Sequence, residues 1–294
     1  MQANTIIVRK LKKRFVSIIV LNWNGKEFIR KCLESIKRFS PSKLFEVIVI
    51  DNGSKDGSVQ MLQEMKKNGF LQKLILNPEN LGFSKGNNQG FEIADGEFFF
   101  MLNNDTEVTE NWLENLLNAA EKYPNAAAIG AKIIDFPMWE AHNYKILPDR
   151  ERMTVCGGAM LMRRQAVEKI GVLDAEHFSP IYGEETDWCY RARNAGFKII
   201  ETDSSIIIHY GSHDTTMQTG REKQFILMNT NRLKAMLYNL TLPEILRHVP
   251  GLGLIFVNAL RAGKPIWILK AYWNNAKNMK EISRERKKRK AKIF

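Results

Sequence analysis

Several apolar runs in this chain stop abruptly at a polar side chain, and those stops are where chemistry is to be sought. FFFMLNNDT, residues 98–106, ends in Asn103, Asn104 and Asp105. VSIIVLN ends in Asn22, EVIVID in Asp51, KLIL at Asn77 and IIIH in His209. Ligands of open parallel sheets lie just past the carboxyl ends of the strands. An Asp delivered there by a buried strand is therefore a candidate metal or phosphate site. The competing reading is that Asn103 to Asp105 merely cap a helix starting near Asn111. A second acidic group, Glu184, Glu185 and Asp187, falls in the first turn of a predicted helix, where carboxylates also complement the helix dipole and Asp187 pairs with Arg191.

The elements that position these residues alternate. Predicted strands at 16–22, 46–50 and 73–76 are each followed by a helix (26–39, from 58, and 84–94), and the last of these leads into FFFML. Such alternation specifies an α/β fold with a mostly parallel sheet. Residues 126–134 read as a further strand, 135–154 as a long loop and 155–164 as a strand with paired glycines, Gly157 and Gly158. A helix at 184–195 closed by Gly196 and short strands at 198–201 and 206–209 follow. From Phe225 the chain turns to apolar-rich helices, at 225–240 and 242–248, then two apolar stretches, GLGLIFVNAL and PIWILKAYW, and a basic end. These features divide it into a basic segment 1–14, an α/β domain 15–220 and a helical region 221–294.

Composition narrows the function. Net charge is +12 over 294 residues, but residues 1–14 and 281–294 each carry +5, leaving +2 for the 266 residues between. A nucleic-acid cleft through the core is not implied, and no nucleic-acid-reading motif is present. Three widely spaced cysteines without a CxxC point to a reducing compartment. No N-terminal apolar h-region and no apolar run of about 20 residues occur. The dinucleotide GxGxxG is missing between the first two strands, which argues against a dehydrogenase.

VSIIVLNWNG, VIVIDNGSKDGS, NLGFSKGNNQG, LNNDT, CGGAMLMRR, GEETDWCYR and IIIHYGS, in this order over about residues 15–215, resemble inverting glycosyltransferases of family 2 with the GT-A fold. Within that family the chain is most similar to rhamnosyltransferase-like enzymes of bacterial surface polysaccharide assembly. The resemblance implies a nucleotide-sugar donor, dTDP- or UDP-linked, held by Asn22, Asp51, Asn80, Gly82, Lys85, Asn87 and Asn104. A carboxylate at Asp51 suits the N3–H of uracil or thymine. Asn103 and Asp105 take the outer positions of the family's DxD motif, with His209 as a third contact to Mn²⁺ or Mg²⁺, although the first acid is Asn here. Imidazole favours manganese. Glu185 falls at the position of the catalytic base, usually Asp. As an ionised acid at a helix N-terminus it would take the acceptor's proton. Gly157, Gly158, Glu184, Asp187 and Trp188 would line the donor and acceptor sites, Trp188 under the sugar or in the core. A catalytically inactive nucleotide-sugar-binding protein is the alternative.

The aromatic and basic C-terminal region suits a helix lying on an anionic membrane surface, at ~1 kcal/mol per Lys or Arg. That predicts a cytoplasmic protein, peripheral on the inner face of the membrane, meeting a glycan or polyprenyl-linked acceptor. The alternative is a helical cap over the catalytic domain.

Overall fold

The computed structural model describes residues 12–41, 43–211 and 220–291. Most of the predicted basic segment 1–14 and the last three residues of the tail lie outside the described residues. The first half alternates as the sequence predicts: β1 (Lys12–Asn22), α1 (Lys26–Phe39), β2 (Phe45–Asp51), α2 (Ser58–Lys67), β3 (Lys73–Leu76), α3 (Phe83–Ile93) and β4 (Gly96–Asn103). There follow β5 (Thr106–Val108), α4 (Trp112–Lys122), β6 (Ala126–Asp135), α5 (Phe136–Glu140), β7 (Arg150–Glu151), β8 (Ala159–Arg163), α6 (Arg164–Ile170), α7 (Glu184–Asn194) and β9 (Lys198–His209). Four helices complete the described chain: α8 (Arg221–Asn239), α9 (Leu242–Arg261), α10 (Pro265–Lys277) and α11 (Met279–Ala291).

The strands form one sheet in the order β3-β2-β1-β4-β8-β6-β9-β5, with β7 on β9. β3, β2, β1, β4, β6 and β9 run one way, and β8, inserted between β4 and β6, runs the other, as do β5 and β7. Successive side chains on a strand point to opposite faces, and the unbroken apolar runs are buried on both. From β4, Phe98, Phe100 and Leu102 join Val16, Ile18 and Val20 of β1 under α1 and α4. Phe99 and Met101 join Ile19, Phe91, Met160, Met162 and Trp188 on the other face, under α3, α6 and α7. Burial on both faces is why these strands read as continuous hydrophobic stretches.

Several boundaries differ from the sequence reading. The strand expected over 155–164 is shortened to Ala159–Arg163, because the glycine pair turns the chain before it. The strands expected at 198–201 and 206–209 are one, with a register shift opposite Ala131 and Lys132. Its buried Asp203 is held there by Arg150, Lys132 and the Leu147 amide. The break expected after residue 248 is absent. α9 runs through Pro250 from a capping box at Thr241 and Glu244. The lost backbone donor is offset by Ile255, Phe256 and Ala259 packing against Ile268 and Ala271 of α10 and Phe225 of α8. α8 and α11 pack on the outer face of α7 through Phe178, Tyr190, Met236, Tyr238 and Ile282.

Candidate active site

β1 and β2 pair in register so that Asn22 and Asp51 end side by side. Both are wholly buried. The Asn22 amide donates to Asp51 Oδ2 at 2.8 Å and to Ser54 Oγ at 3.2 Å, and the Ser54 N–H donates to Asp51 Oδ1 at 2.8 Å. Asn104 donates in turn to Asn22 Oδ1 at 3.0 Å. Each Asp51 oxygen thus accepts one hydrogen bond from within the chain, and a carboxylate oxygen can accept a second.

The loop after β3 is tied to the same floor by Asn52, which the sequence reading passed over. The buried Asn52 amide donates to Asn80 Oδ1 and to the Gly82 carbonyl, at 3.3 and 3.2 Å, and accepts from Asn77 at 2.8 Å. Asn80 also accepts the Gly82 N–H at 2.8 Å. Gly82 has φ of +84°, and a Cβ there would lie 2.8 Å from the Pro180 carbonyl oxygen, so the close approach requires glycine. Lys85 is exposed on α3. Asn87 is instead buried, its amide donating to the Phe83 carbonyl of its own helix. One of its two amide hydrogens is thereby engaged within α3.

The helix-cap reading of Asn103 to Asp105 fails, because β5 separates them from α4. The Asn103 N–H donates to the Gly158 carbonyl at 3.0 Å, and a Cβ on Gly158 would lie 2.8 Å from Asn103 Nδ2. Asp105 Oδ1 is buried without a hydrogen-bond partner, while Oδ2 lies 3.4 Å from His209 Nε2. Pairing of β5 with β9 places Thr106 opposite His209, and His209 Nδ1 lies 3.0 Å from Asp135 Oδ1. Asp105, then Asp135, push this imidazole up to about 9. Among the described residues no three acid, His or Cys side chains converge on one point. The orphaned Asp105 oxygen and His209 Nε2 nonetheless make a two-donor set, one hard oxygen and one imidazole, which fits a divalent cation sharing its shell with phosphate oxygens. The Asn103 amide lies against Gly158.

α7 starts at Gly183 and presents two adjacent acids. A Cβ on Gly157 would lie 3.0 Å from Glu185 Cβ, so the glycine pair brings the Asn103 turn and the Glu185 helix onto one short segment. Thr186 donates to Glu185 Oε1 at 3.1 Å. Glu184 is buried, with Oε2 unpartnered. Burial, then the charge of Glu185, raises the Glu184 carboxyl well above the usual range, and burial raises Glu185 as well. The expectation that these acids simply stay ionised at the helix N-terminus is corrected: desolvation outweighs the dipole. Desolvation and the charges of Glu185, Asp105 and Glu184 also push the Cys156 thiol up, although it still reaches solvent, so all three acids bear on one turn.

Two residues expected at the sugar are elsewhere. Trp188 is wholly buried in the core, its indole N–H donating to the Gly171 carbonyl at 2.9 Å. Asp187, also wholly buried, is paired with Arg191 at 2.8 Å, with the Asn239 amide at 2.7 Å and with Arg289 of α11. Arg289 also meets Asp174 and Glu285. One helical step of about 100° per residue separates side chains that face the site from those that face the core or the C-terminal helices. Sequence spacing alone could not assign that phase.

A profile of the family described as glycosyl transferase family 2 matches residues 17–171. The glycosyltransferase AglE of Haloferax volcanii is 26% identical over 200 residues, covering 63% of each chain. The chain thus spans under two thirds of that curated relative. Among solved structures, GalNAc-T7 with UDP, GalNAc and Mn²⁺ superposes with a TM-score of 0.62 at 17% identity, over 76% of this chain and 48% of that one. The mannosyltransferase PcManGT of Pyrobaculum calidifontis, with GDP-Man and Mn²⁺, superposes with a TM-score of 0.60 at 17% identity, over 90% and 74%. These likenesses show the GT-A fold, with C-terminal helices added.

Proposed function

The chain belongs to glycosyl transferase family 2, and from that premise we propose that it is an inverting, metal-dependent glycosyltransferase. It moves a hexosyl or rhamnosyl unit from a dTDP- or UDP-sugar to a glycan or lipid-linked acceptor in cell-surface polysaccharide synthesis. The observation that carries this reading is an unbroken run of contacts. Asp51 bonds Asn22, Asn22 bonds Asn104, the Asn103–Asp105 turn touches Gly158, and Gly157 touches Glu185. Nucleotide floor, phosphate turn and acid therefore share one edge of the sheet.

In this mechanism Asn22, Asp51, Ser54 and Asn104 form a rigid polar floor for the nucleotide, and the Asn80–Gly82 loop closes its side, with Lys85 free to reach a phosphate. Asp105 and His209 would hold Mn²⁺ or Mg²⁺, which neutralises the charge of the departing diphosphate. Gly157 and Gly158, lacking side chains, let that turn and α7 approach each other closely beside the sugar. Glu185 takes the proton of the acceptor hydroxyl. Thr186 donates to Oε1. Burial, then the charge of Glu185, raises the neighbouring Glu184 carboxyl well above the usual range. The protein works in the cytoplasm against the inner face of the membrane.

A thermal-shift screen of UDP-, dTDP- and GDP-sugars, with and without Mn²⁺, tests the donor. Stabilisation by one nucleotide class that grows with Mn²⁺ is expected, and indifference to all of them would discard the reading. The Asn at 103 and the two-donor cation set favour, as a second reading, a nucleotide-sugar-binding protein without turnover. Donor hydrolysis in Mn²⁺ separates the two, since a binding protein shows the shift but releases no nucleoside diphosphate.

A further inference from the structure

Among the described residues, ten of the sixteen exposed large apolar side chains lie between Leu242 and Met279. On α9, Leu242, Leu246, Val249, Val257 and Leu260 follow i, i+4, i+7, i+15, i+18 spacing, which makes one stripe. Ile266, Leu269 and Trp273 make a second on α10. Leu242, Ile266 and Trp273 are each more than 60% exposed. Residues 242–294 hold thirteen Lys and Arg against three acids, so +10 of the chain's +12 falls on this region. Contiguous apolar surface with a cationic surround is the chemistry of an anionic lipid surface rather than of a solvated cap.

Beside these stripes, between α8 and α9, lies a cavity of about 290 Å³ lined by Phe225, Met228, Ile255 and Ala259 and by two cations, Arg232 and Lys264. Among the described residues neither cation has a carboxylate within 4 Å, although Lys264 lies over the Trp267 ring. Arg232 is close enough to Glu185 for its charge to favour the ionised carboxylate, and the next residue back, Asn231, packs on Gly183 where α7 begins. The cavity thus joins apolar side chains to two cations, one of which, Arg232, acts on the acid.

We propose that this cavity seats the phosphate head of a lipid-linked acceptor, with Arg232 and Lys264 holding the phosphate and the hydrocarbon chain running along the α9 and α10 stripes into the membrane. The inference rests on the transferase reading and adds to it the acceptor's class and its route to Glu185. Mere docking on an anionic surface would not need a cavity; a lipid phosphate does, since its charge must be met inside the apolar wall.

The test is flotation of the full chain with phosphatidylcholine vesicles, plain, doped with polyprenyl phosphate, or doped with phosphatidylglycerol at equal charge. Binding to polyprenyl phosphate vesicles about tenfold above the phosphatidylglycerol ones is expected, with that preference lost in Arg232→Glu/Lys264→Glu. Unchanged melting temperature shows that the double variant is folded; if it is not, Lys264→Gln alone must halve the preference. Equal binding to both charged vesicles overturns the proposal. So does a dimer in solution that covers the stripes and shuts out vesicles. Donor hydrolysis by the wild type without lipid is measured in parallel. Hydrolysis without lipid preference sinks the lipid seat and keeps the transferase, whereas lipid preference without hydrolysis does the reverse.

Discussion

At the carboxyl ends of β1, β2 and β4 polar side chains are buried, whereas along α9 and α10 large apolar ones face outward. Asn22, Asp51 and Asn52 are 1% exposed or less, and each is matched by named donors and acceptors. Leu242, Leu246, Leu254, Ile266 and Trp273 are all more than half exposed. Each region inverts the usual partition, and each does so at a known cost, desolvation in one case and hydration of hydrocarbon in the other. At Asn22, Asp51 and Asn52 that cost is offset by hydrogen bonds, while Asp105 Oδ1 is left without a partner. The helix pair has no such compensation among the described residues, which makes it a surface for something else.

The largest expected effects lie at the rim. Glu185→Gln and Asp105→Ala should each lower kcat by about 10³-fold or more while leaving circular dichroism and melting unchanged. A variant retaining a tenth of wild-type turnover would break the assignment. Next comes the joint between the regions. Arg289→Ala removes one of the two cations on the buried Asp187 and should cost about 1.5–3 kcal/mol in urea unfolding. Asp187→Asn should partly rescue it, because the carboxylate then left to Arg191 and Asn239 no longer carries a charge. A loss below 1 kcal/mol would mean that α11 is not anchored to α7.

A smaller effect concerns pH. The Glu184 carboxyl is raised by burial, so the folded chain holds a proton that the unfolded chain releases. Its contribution to stability is complete below the ordinary glutamate range and is lost as pH rises through the raised value. Glu184→Gln should therefore flatten the alkaline side of the stability profile, and identical profiles for the two proteins would exclude this. The smallest effect is expected on the stripes. Leu246→Ser and Leu269→Ser should change unfolding free energy by less than about 0.5 kcal/mol, since both side chains stay more than half exposed. A larger destabilisation would show that the helix pair is ordinary core.

Much of this was legible in the residues. The alternation from β1 to β4, the polar stop at each strand end and the acidic first turn of α7 follow from period and spacing, whereas the resemblance alone singles out Glu185 within that turn. What was not legible is rotational phase and depth. Asp187 and Trp188 follow Glu185 on the same helix, yet point to α11 and to the core. Asp51 looks like a surface acceptor until Ser54 folds back over it. Pro250 reads as a stop because packing by Ile255 and Phe256 is not local information. Asn52, Arg232 and Arg289 were missed for the same reason, their partners being distant in sequence.

The Phe83 N–H donates to the Pro180 carbonyl at 2.8 Å, beside the Gly82 contact described above. Gly82 sits in the loop after β3, and Pro180 stands three residues ahead of Gly183, from which the acid-bearing helix starts. The two backbones are thus fastened to each other, and neither can shift alone without breaking that bond or driving backbone into backbone, so a displacement of one is passed to the other.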